Sequence, residues 1–338
     1  MYKRIKKVLI VGLGSIGSRH LKIISSNYPG LEIVVLRHKD CFKEDNLISN
    51  IYRCTNSIDE ALKFNPQVAV IANPAPYHIE TSKILARKGI NLLIEKPISN
   101  SSNGVRELLN ICQDQKTILM TGYNLRFMPS LIEFKKQINS NKIGKILSVR
   151  AEVGQYLPNW RPEVDYRSVV SAKKNMGGGV LLELSHEIDY LKWIFGDISW
   201  VQAHLSKQSS LEIDVEDSAH IILGFKKDKN TEIVASLNMD FIRHDTTRKC
   251  CVIGDKGTIS WDAISGKVSF FSPDSNDWEQ LFESLPDRNF TYTKEIKSFF
   301  DSVEFNKPVS VSGKDGLSVI EIIEAIEKSS CSESKVYL

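Results

Sequence analysis

A short, mostly apolar run, Asn91–Ile94, is followed by two ionisable residues, Glu95 and Lys96, and then by Pro97. The run predicts a buried strand, and Pro97 ends it because a proline nitrogen has no N–H for the ladder. Open α/β sheets bind ligands beyond the carboxyl ends of their strands, and lysine is seldom buried without a partner. Lys96 is therefore a candidate catalytic residue. The alternative is a strand-end lysine that reaches into solvent.

A second ionisable residue, His186, follows a glycine run, Gly177–Gly179, that opens a predicted helix. Histidine titrates near neutral pH and therefore suits proton transfer. Helical spacing places Glu183, His186 and Tyr190 on one face, and the glycines let backbone approach a ligand closely. The pattern predicts an acid–base site, and the alternative is a solvated or hydrogen-bonded helix face.

The pattern G-x-G-x-x-G lies at 12–17, between a predicted strand, Val8–Val11, and a predicted helix at 18–27. In that context it indicates a dinucleotide site, because glycines permit a tight turn and let backbone N–H groups reach a pyrophosphate. A plain strand–turn–helix and the glycine loop of a methyltransferase are the alternatives. The predicted cofactor-binding residues of this loop are Gly12, Gly14, Ser15, Ile16 and Gly17.

The end of the second predicted strand, Glu32–Leu36, bears on the choice of cofactor. An NAD site places an acidic residue about 20 positions beyond the glycine loop, where it holds a ribose hydroxyl. Here the strand is followed by Arg37, His38 and Lys39, and such cations suit a 2′-phosphate. We predict that Arg37 and His38 bind NADP, with NAD as the alternative cofactor. A solvated loop of charges is the alternative to a binding role.

A proline-rich turn follows a third apolar run, Gln67–Ala72, and contains Asn73, Pro74 and His78. The prolines end the strand, and the turn precedes a predicted helix. Because this turn also follows the carboxyl end of a strand, we predict that all three residues contribute to the cofactor site. For His78, a structural role is the alternative.

The composition excludes several classes of protein. A chain of 338 residues is long enough for two domains with a core each. Its composition, 42% hydrophobic and 25% charged, is ordinary for a globular protein. A net charge of +3 does not indicate a nucleic-acid partner, and no stretch approaches the roughly 20 apolar residues of a membrane span. The six cysteines show neither zinc nor disulfide spacing, so we predict no metal and reduced thiols in a cytoplasmic protein.

The second half of the chain consists of short alternating runs separated by turns, which predicts antiparallel hairpins, and ends in a predicted helix at 316–328. A loop at 155–167 mixes aromatic rings with cations. Aromatic faces suit sugar rings, and arginine pairs with phosphate or carboxylate. We predict a substrate-facing loop, with a subunit-interface loop as the alternative. Its candidate contacts are Tyr156, Trp160, Arg161, Tyr166 and Arg167.

Four motifs, in this order along the chain, resemble those of one family: Gly-Leu-Gly-Ser-Ile-Gly at 12–17, the Asn-Pro turn with His78, Glu-Lys-Pro at 95–97 and Gly-Tyr-Asn-x-Arg-Phe at 122–127. The set is similar to that of the glucose–fructose oxidoreductase / inositol dehydrogenase / MocA (Gfo/Idh/MocA) family over essentially the whole chain. The resemblance implies an α/β Rossmann domain with a doubly wound parallel sheet at 1–122. It also implies an α+β domain with an open, largely antiparallel sheet at 123–338, for substrate binding and oligomerisation.

The resemblance further implies an NAD(P)-dependent oxidoreductase that moves a hydride between nicotinamide and a hydroxyl or carbonyl carbon. The family acts on sugars and polyols, so the expected substrate is a sugar, a phosphorylated or nucleotide-linked sugar derivative, or a polyol. A homo-oligomer, dimer or tetramer, formed through the second-domain sheet is expected on the same ground. The alternatives are a non-catalytic cofactor-binding regulator and a reductase of the dihydrodiol or biliverdin type.

The functional residues of the family match positions of this chain. The resemblance implies His186 as the acid–base group on the substrate hydroxyl, and Lys96 as the residue that stabilises negative charge on that oxygen. It implies Glu95 as the anchor of its turn. Asn124 and Arg126 are implied at the border of nicotinamide and substrate.

One position departs from the family pattern. The family usually has an aspartate four residues before the histidine, and that position is Leu182 here. Glu183, three residues before His186, is the candidate catalytic carboxylate in its place. Asp189 is a second candidate to hold the histidine ring.

Overall fold

The chain forms two units, each with its own sheet, in a computed structural model that describes residues 4–37, 51–228 and 231–338. The first unit combines the residues up to Asn124 with Asn289–Ile320. The second combines Leu125–Arg288 with Glu321–Leu338. Within the described ranges, no helix has both the length and the apolar character that crossing a membrane requires.

A parallel sheet of six strands forms the centre of the first unit. The strands are β1 (Lys7–Val11), β2 (Glu32–Leu36), β3 (Ile51–Thr55), β4 (Val68–Ile71), β5 (Asn91–Glu95) and β6 (Leu119–Gly122). Their order is β3-β2-β1-β4-β5-β6. Apolar side chains fill β1, β4 and β5 because a parallel sheet is covered on both faces. This order confirms the predicted doubly wound sheet. From β1 the chain first adds strands on one side and then, from β4 onward, on the other side.

Helices connect the strands of both units. Their bounds are α1 (Ser15–Asn27), α2 (Ile58–Lys63), α3 (His78–Ala86), α4 (Val105–Gln115), α5 (Pro129–Asn139), α6 (Val180–Glu183), α7 (His186–Phe195), α8 (Phe290–Phe305) and α9 (Gly313–Ser332). The apolar pattern did not predict β3, α2 or α8, since polar residues interrupt it there. Yet α8 belongs to the first unit, where the Phe300 ring lies 4.9 Å from that of Tyr28, the residue that follows α1.

A mixed sheet of nine strands forms the second unit. The strands are β7 (Ile146–Gly154), β8 (Ile198–Ser206), β9 (Ser218–Asp228), β10 (Thr231–Asp240), β11 (Thr247–Gly254), β12 (Gly257–Asp262), β13 (Lys267–Ser272), β14 (Asp277–Glu283) and β15 (Val336–Tyr337). Their order is β14-β13-β12-β11-β7-β10-β9-β8-β15. The pair β7–β10 is parallel, and the other pairs are antiparallel. The predicted, largely antiparallel sheet is thereby confirmed.

Trp261 on β12 is the centre of the core that holds two helices on this sheet. Its indole N–H donates to Ser130 Oγ at the start of α5, over 3.0 Å. Its ring lies 5.4 Å from that of Tyr190 on α7, edge to face, and 6.1 Å from that of Phe134 on α5. Burying these rings fixes the helix that begins at His186.

Candidate functional site

The register of the first sheet brings the predicted motifs to one edge. Val11 pairs with Ile71, Ile71 pairs with Ile94, and Glu95 pairs with Gly122. The glycine loop, the Asn-Pro turn, the Lys96 turn and the Asn124 turn follow these strand ends. They therefore all lie at the carboxyl edge of the sheet.

Steric contacts explain why two of the three loop glycines are glycine, and they do not explain the third. Gly12 has a φ of +89°, and a Cβ there would lie 2.7 Å from Asn73 N. A Cβ on Gly17 would lie 2.1 Å from the Gly12 carbonyl oxygen, so the start of α1 packs directly on the loop. A Cβ on Gly14 would meet nothing within 4 Å. The fold therefore requires glycine at positions 12 and 17, whereas Gly14 faces open space.

The His78 ring joins two of the turns. Its Nδ1 lies 3.0 Å from the Pro97 carbonyl oxygen, and its Nε2 lies 2.6 Å from that of Asn73. Burial lowers the pKa of this histidine, while the carbonyl oxygens and Glu95 act in the opposite direction. Because both nitrogens face backbone oxygens and the ring is 1% exposed, these contacts favour a positioning role over direct contact with a ligand.

The Lys96 turn is anchored by the residue before it. Glu95 Oε2 accepts a hydrogen bond from the Lys96 backbone N–H over 3.1 Å, and Oε1 lies 2.5 Å from His20 Nε2 on α1. A Cβ on Gly122 would lie 3.1 Å from this carboxylate. The Lys96–Pro97 peptide bond is cis, and Lys96 is half-buried. The turn is thus built around the Glu95 carboxylate.

Arg37 lies at the carboxyl end of β2, as predicted. Its backbone N–H donates to the Thr55 carbonyl oxygen over 3.0 Å, and the residue is half-buried. His38, the other predicted phosphate contact, lies outside the described residues.

The polar groups of Asn124 and Arg126 are bonded to protein. Asn124 Nδ2 donates to Thr291 Oγ1 on α8 over 2.8 Å. Arg126 Nε and Nη2 donate to the two carboxylate oxygens of Asp189 on α7, over 2.9 and 2.6 Å. The arginine and aspartate side chains are only 6% and 1% exposed. Asp189, a candidate partner of the His186 ring, is therefore the partner of Arg126.

The predicted single helix around His186 is wrong. α6 ends at Glu183, Leu184 leaves the helical conformation with φ −101° and ψ 21°, and α7 begins at His186. Glu183 and His186, both half-buried, therefore do not share a helix face. Tyr190 is in the core, and burial raises the pKa of its phenol well above the usual value.

Protein contacts also explain the glycines that precede α6. A Cβ on Gly178 would lie 2.4 Å from the Val170 carbonyl oxygen. One on Gly179, where φ is +107°, would lie 2.4 Å from a carboxylate oxygen of Glu216. That carboxylate accepts a hydrogen bond from Leu181 N over 3.1 Å. Close approach of protein, rather than of a ligand, accounts for this glycine run.

The predicted substrate loop forms a chain of short 3₁₀ turns. The Trp160 indole N–H donates to the Gln155 carbonyl oxygen over 3.0 Å, and the Tyr156 ring lies 4.3 Å from that of His244. The Tyr166 hydroxyl accepts from Glu212 N over 3.2 Å. These contacts hold the aromatic part of the loop against the rest of the second unit, to which the loop belongs.

The two arginines of this loop differ. Arg167 is in ion pairs of 2.9 Å with both Asp165 and Glu212, and it lowers the pKa of the Asp165 carboxyl. Arg161 is exposed. Arg161 is therefore the better candidate for an anionic ligand.

One cysteine contradicts the prediction of reduced thiols. Cys54 is disulfide-bonded. Cys112, Cys250, Cys251 and Cys331 are free thiols. The prediction is wrong for Cys54 because spacing along the chain does not show which side chains meet in space.

Sequence reasoning missed two buried residues near the Lys96 turn, His20 and Glu295. His20 lies three residues after Gly17, and Glu295 is on α8. Neither is exposed. A histidine one turn into the helix after a glycine loop was the only available signal, and Glu295 had none.

The carboxyl edge of the first sheet fits a dinucleotide cofactor. Gly14 and Ser15 are exposed, and the first turn of α1 has no acidic residue to repel a pyrophosphate. Asn73 Oδ1 is buried and has no hydrogen-bond partner among the described residues, so it can accept from a ligand. The fold and this edge define a Rossmann dinucleotide-binding unit.

The chain belongs to the Gfo/Idh/MocA oxidoreductase family. The family's NAD-binding Rossmann domain matches residues 6–123, and its C-terminal alpha/beta domain matches residues 135–338. The predicted family, the oxidoreductase class and the nicotinamide cofactor are thereby confirmed.

Relatives of known activity cover nearly the whole chain. Inositol 2-dehydrogenase of Rhizobium meliloti is 25% identical over 330 residues, which are 95% of each chain. The structure of levoglucosan dehydrogenase with NADH has a TM-score of 0.83 at 20% identity, over 98% of each chain. The WlbA dehydrogenase of Bordetella pertussis, with NADH and UDP-GlcNAcA, has a TM-score of 0.84 at 18% identity, over 100% of this chain and 99% of that one. These two structural likenesses support the fold.

Proposed function

We propose that this oxidoreductase moves a hydride between its nicotinamide cofactor and a CH–OH carbon of a polyol or sugar. The main support is the edge of the first sheet, where the glycine loop, the Asn73 turn and the Lys96 turn follow the adjacent strands β1, β4 and β5. A cradle for the cofactor and a cation for the substrate oxygen thus occur at one edge. The activity named for the Rhizobium meliloti relative supports a polyol substrate.

Residues 1–122 are proposed as the main part of the cofactor domain. Backbone N–H groups of Gly12–Gly17 would hold the pyrophosphate, Arg37 the phosphate of NADP, and Asn73 and Pro74 the nicotinamide side. The bound nicotinamide supplies the acceptor or donor of the hydride.

Four other predicted site residues are proposed to position rather than to touch the cofactor, because their polar groups are bonded to protein. His78 joins the Asn73 and Pro97 carbonyls, and Glu95 anchors Lys96. Asn124 is held by Thr291 on α8, and Arg126 is held by Asp189 on α7. Each of these contacts fixes a turn or helix that carries a functional residue.

The proton chemistry is assigned to Lys96 and His186. Oxidation of a hydroxyl releases its proton, and histidine suits this transfer because it titrates near neutral pH. The Lys96 ammonium stabilises the negative charge that develops on the same oxygen. Glu183, half-buried and three residues before the start of α7 at His186, is proposed to orient His186.

Residues 123–338 are proposed as the substrate and oligomerisation domain. An exposed guanidinium and nearby aromatic rings suit a sugar that carries an anionic group. We assign the substrate contacts to Tyr156, Trp160, Arg161 and Tyr166, with Arg167 shaping the loop through its ion pairs.

The homo-oligomer is proposed to form through the nine-stranded sheet. One face of its central strands carries exposed side chains, with Arg150 on β7, His220 and Ile222 on β9, and Asn238 on β10. Ile222 is 38% exposed, although it lies in the middle of a strand. A second subunit would cover such a face.

Assay of the purified protein tests the proposed reaction. With NADP⁺ or NAD⁺, we expect saturable formation of reduced nicotinamide with at least one compound among myo-inositol, aldoses, sugar phosphates and UDP-sugars. Simple secondary alcohols are the matched control and should give no turnover. Tight cofactor binding without turnover of any of these compounds would contradict the proposal and favour a non-catalytic regulator.

The cofactor preference has a separate test. We expect NADPH to bind more tightly than NADH, and Arg37→Ala to weaken NADPH binding about tenfold or more while NADH changes little, because one phosphate contact is lost. Fluorescence titration measures both dissociation constants. Arg53→Ala, whose side chain is 57% exposed on β3, is the control. Tighter binding of NADH by the wild type would show that Arg37 does not select a phosphate.

A further inference from the structure

Three buried ionisable groups meet beneath the Lys96 turn. They are His20 from α1, Glu95 at the end of β5 and Glu295 from α8, and one potential ligand atom of each lies within 4.8 Å of the others. All three belong to the first unit. His20 and Glu295 are not exposed at all, and Glu95 is 5% exposed.

The contacts of the three groups are unequal. Each oxygen of the Glu95 carboxylate has a contact, one with His20 Nε2 and the other with the Lys96 backbone N–H. Both Glu295 oxygens and His20 Nδ1 are buried and have no hydrogen-bond partner among the described residues. Two ionised carboxylates this close in a dry interior repel each other strongly, so one of them retains a proton. The better-bonded Glu95 is the one that carries the charge.

We propose that Glu295 is a neutral carboxylic acid, so that the cluster holds a single charged carboxylate, that of Glu95. Together with His20, Glu295 keeps this carboxylate against the backbone N–H of Lys96 and thereby positions Lys96. His20 donates to one oxygen of Glu95. Glu295 occupies the space beside it without adding a second negative charge. The positioning part of this proposal rests on the function proposed above for Lys96.

The surrounding charges agree with this assignment. Burial, together with the charge of Glu95, raises the pKa of Glu295 well above its usual value of 4.5. Burial and the charge of Glu95, with a smaller contribution from Glu295, raise the pKa of Tyr292 on α8 to about 12, against the opposing effect of Arg19 on α1. The Arg19 guanidinium lies 4.8 Å from the centre of the Tyr292 ring. Burial lowers the pKa of His78 on α3, and the charge of Glu95 opposes that shift.

The protonation of Glu295 has a definite effect on stability. Its pKa is higher in the folded than in the unfolded protein, so the folded protein holds this proton more tightly. The resulting contribution to stability is complete at low pH and declines as pH rises above the unfolded value toward the folded one. Glutamine has the same shape and cannot ionise, so Glu295→Gln removes this decline.

Thermal unfolding of the full chain between about pH 5 and pH 9 tests the protonation state. The melting temperature of Glu295→Gln minus that of the wild type should increase with pH, by about 3 °C or more across the range. Glu32→Gln, an exposed glutamate on β2, is the control and should show no such trend. A difference that is constant or shrinks with pH would overturn the proposal.

Two further results would also overturn it. One is a stoichiometric metal ion in the wild type that Glu295→Gln lacks, measured by elemental analysis. The other is failure to fold by both Glu295→Gln and Glu295→Leu, since an essential ionised carboxylate would have that effect.

Steady-state kinetics test the positioning role. His20→Phe fills the same space without a donor and should lower kcat about tenfold with little change in the cofactor KM, whereas Glu295→Gln should keep kcat within about twofold. Equal loss by both variants, or loss in KM alone, would contradict positioning. An inactive wild type would refute the proposed function and with it the positioning role, while the unfolding experiment would still decide the state of Glu295.

Discussion

Lys96→Met is expected to lower kcat about 10²-fold or more while the dissociation constant of NADPH changes by no more than about twofold. Methionine keeps the unbranched shape of lysine as far as Cε but has no charged nitrogen, so the substrate oxygen loses the cation that stabilises its developing negative charge. The Glu95 contact to the backbone N–H at position 96 is kept, because it does not involve the side chain. Steady-state rates and fluorescence titration measure the two quantities.

The matched control for this prediction is Lys88→Met, an exposed lysine of the same unit. It should leave kcat and cofactor binding unchanged. If Lys96→Met kept kcat within about threefold of the wild type, Lys96 would not be the charge-stabilising group. Equal loss of cofactor binding and turnover would instead assign Lys96 to the cofactor.

Asp189→Asn is expected to produce the largest loss of stability. It removes a carboxylate that the Arg126 guanidinium contacts at both oxygens, with side chains 6% and 1% exposed. Breaking a buried pair from one side costs about 3–5 kcal/mol because the remaining charge is no longer compensated. A fall of roughly 6 °C or more in melting temperature should follow.

Asp197→Asn is the control for this effect. It breaks a 2.8 Å ion pair between Asp197 and Lys192, and the Asp197 side chain is 88% exposed. Its cost should stay below about 1 kcal/mol. Equal melting temperatures for the two variants would show that the Arg126 pair does not stabilise α7. The contrast therefore separates a buried pair from an exposed one close to the same helix.

The sequence by itself determined the features that depend on neighbouring residues. Apolar runs ending in glycine or proline located the strands and turns of the carboxyl edge, and the spacing of 12–17 identified the dinucleotide loop. The order of four motifs identified the family. These predictions succeeded because strand periodicity and turn chemistry are local properties.

Two local predictions near His186 did not succeed. The helical pattern continues through Leu184, but the chain breaks there between α6 and α7. The glycine run before it is explained by Val170 and Glu216, which approach from other parts of the second unit. Periodicity describes a helix face and contains no information about what packs against it.

Tertiary structure alone decided which polar groups are paired. Arg126 and Asp189 are 63 residues apart in the chain, and His20 and Glu95 are 75 apart. Glu295 reaches the same cluster on a helix that the apolar pattern did not predict. The partners of a buried charge are set by folding of distant segments onto one core, and their electrostatic energy depends on that burial. For this reason the sequence located Lys96 and Arg126, but only the fold showed what holds them in place.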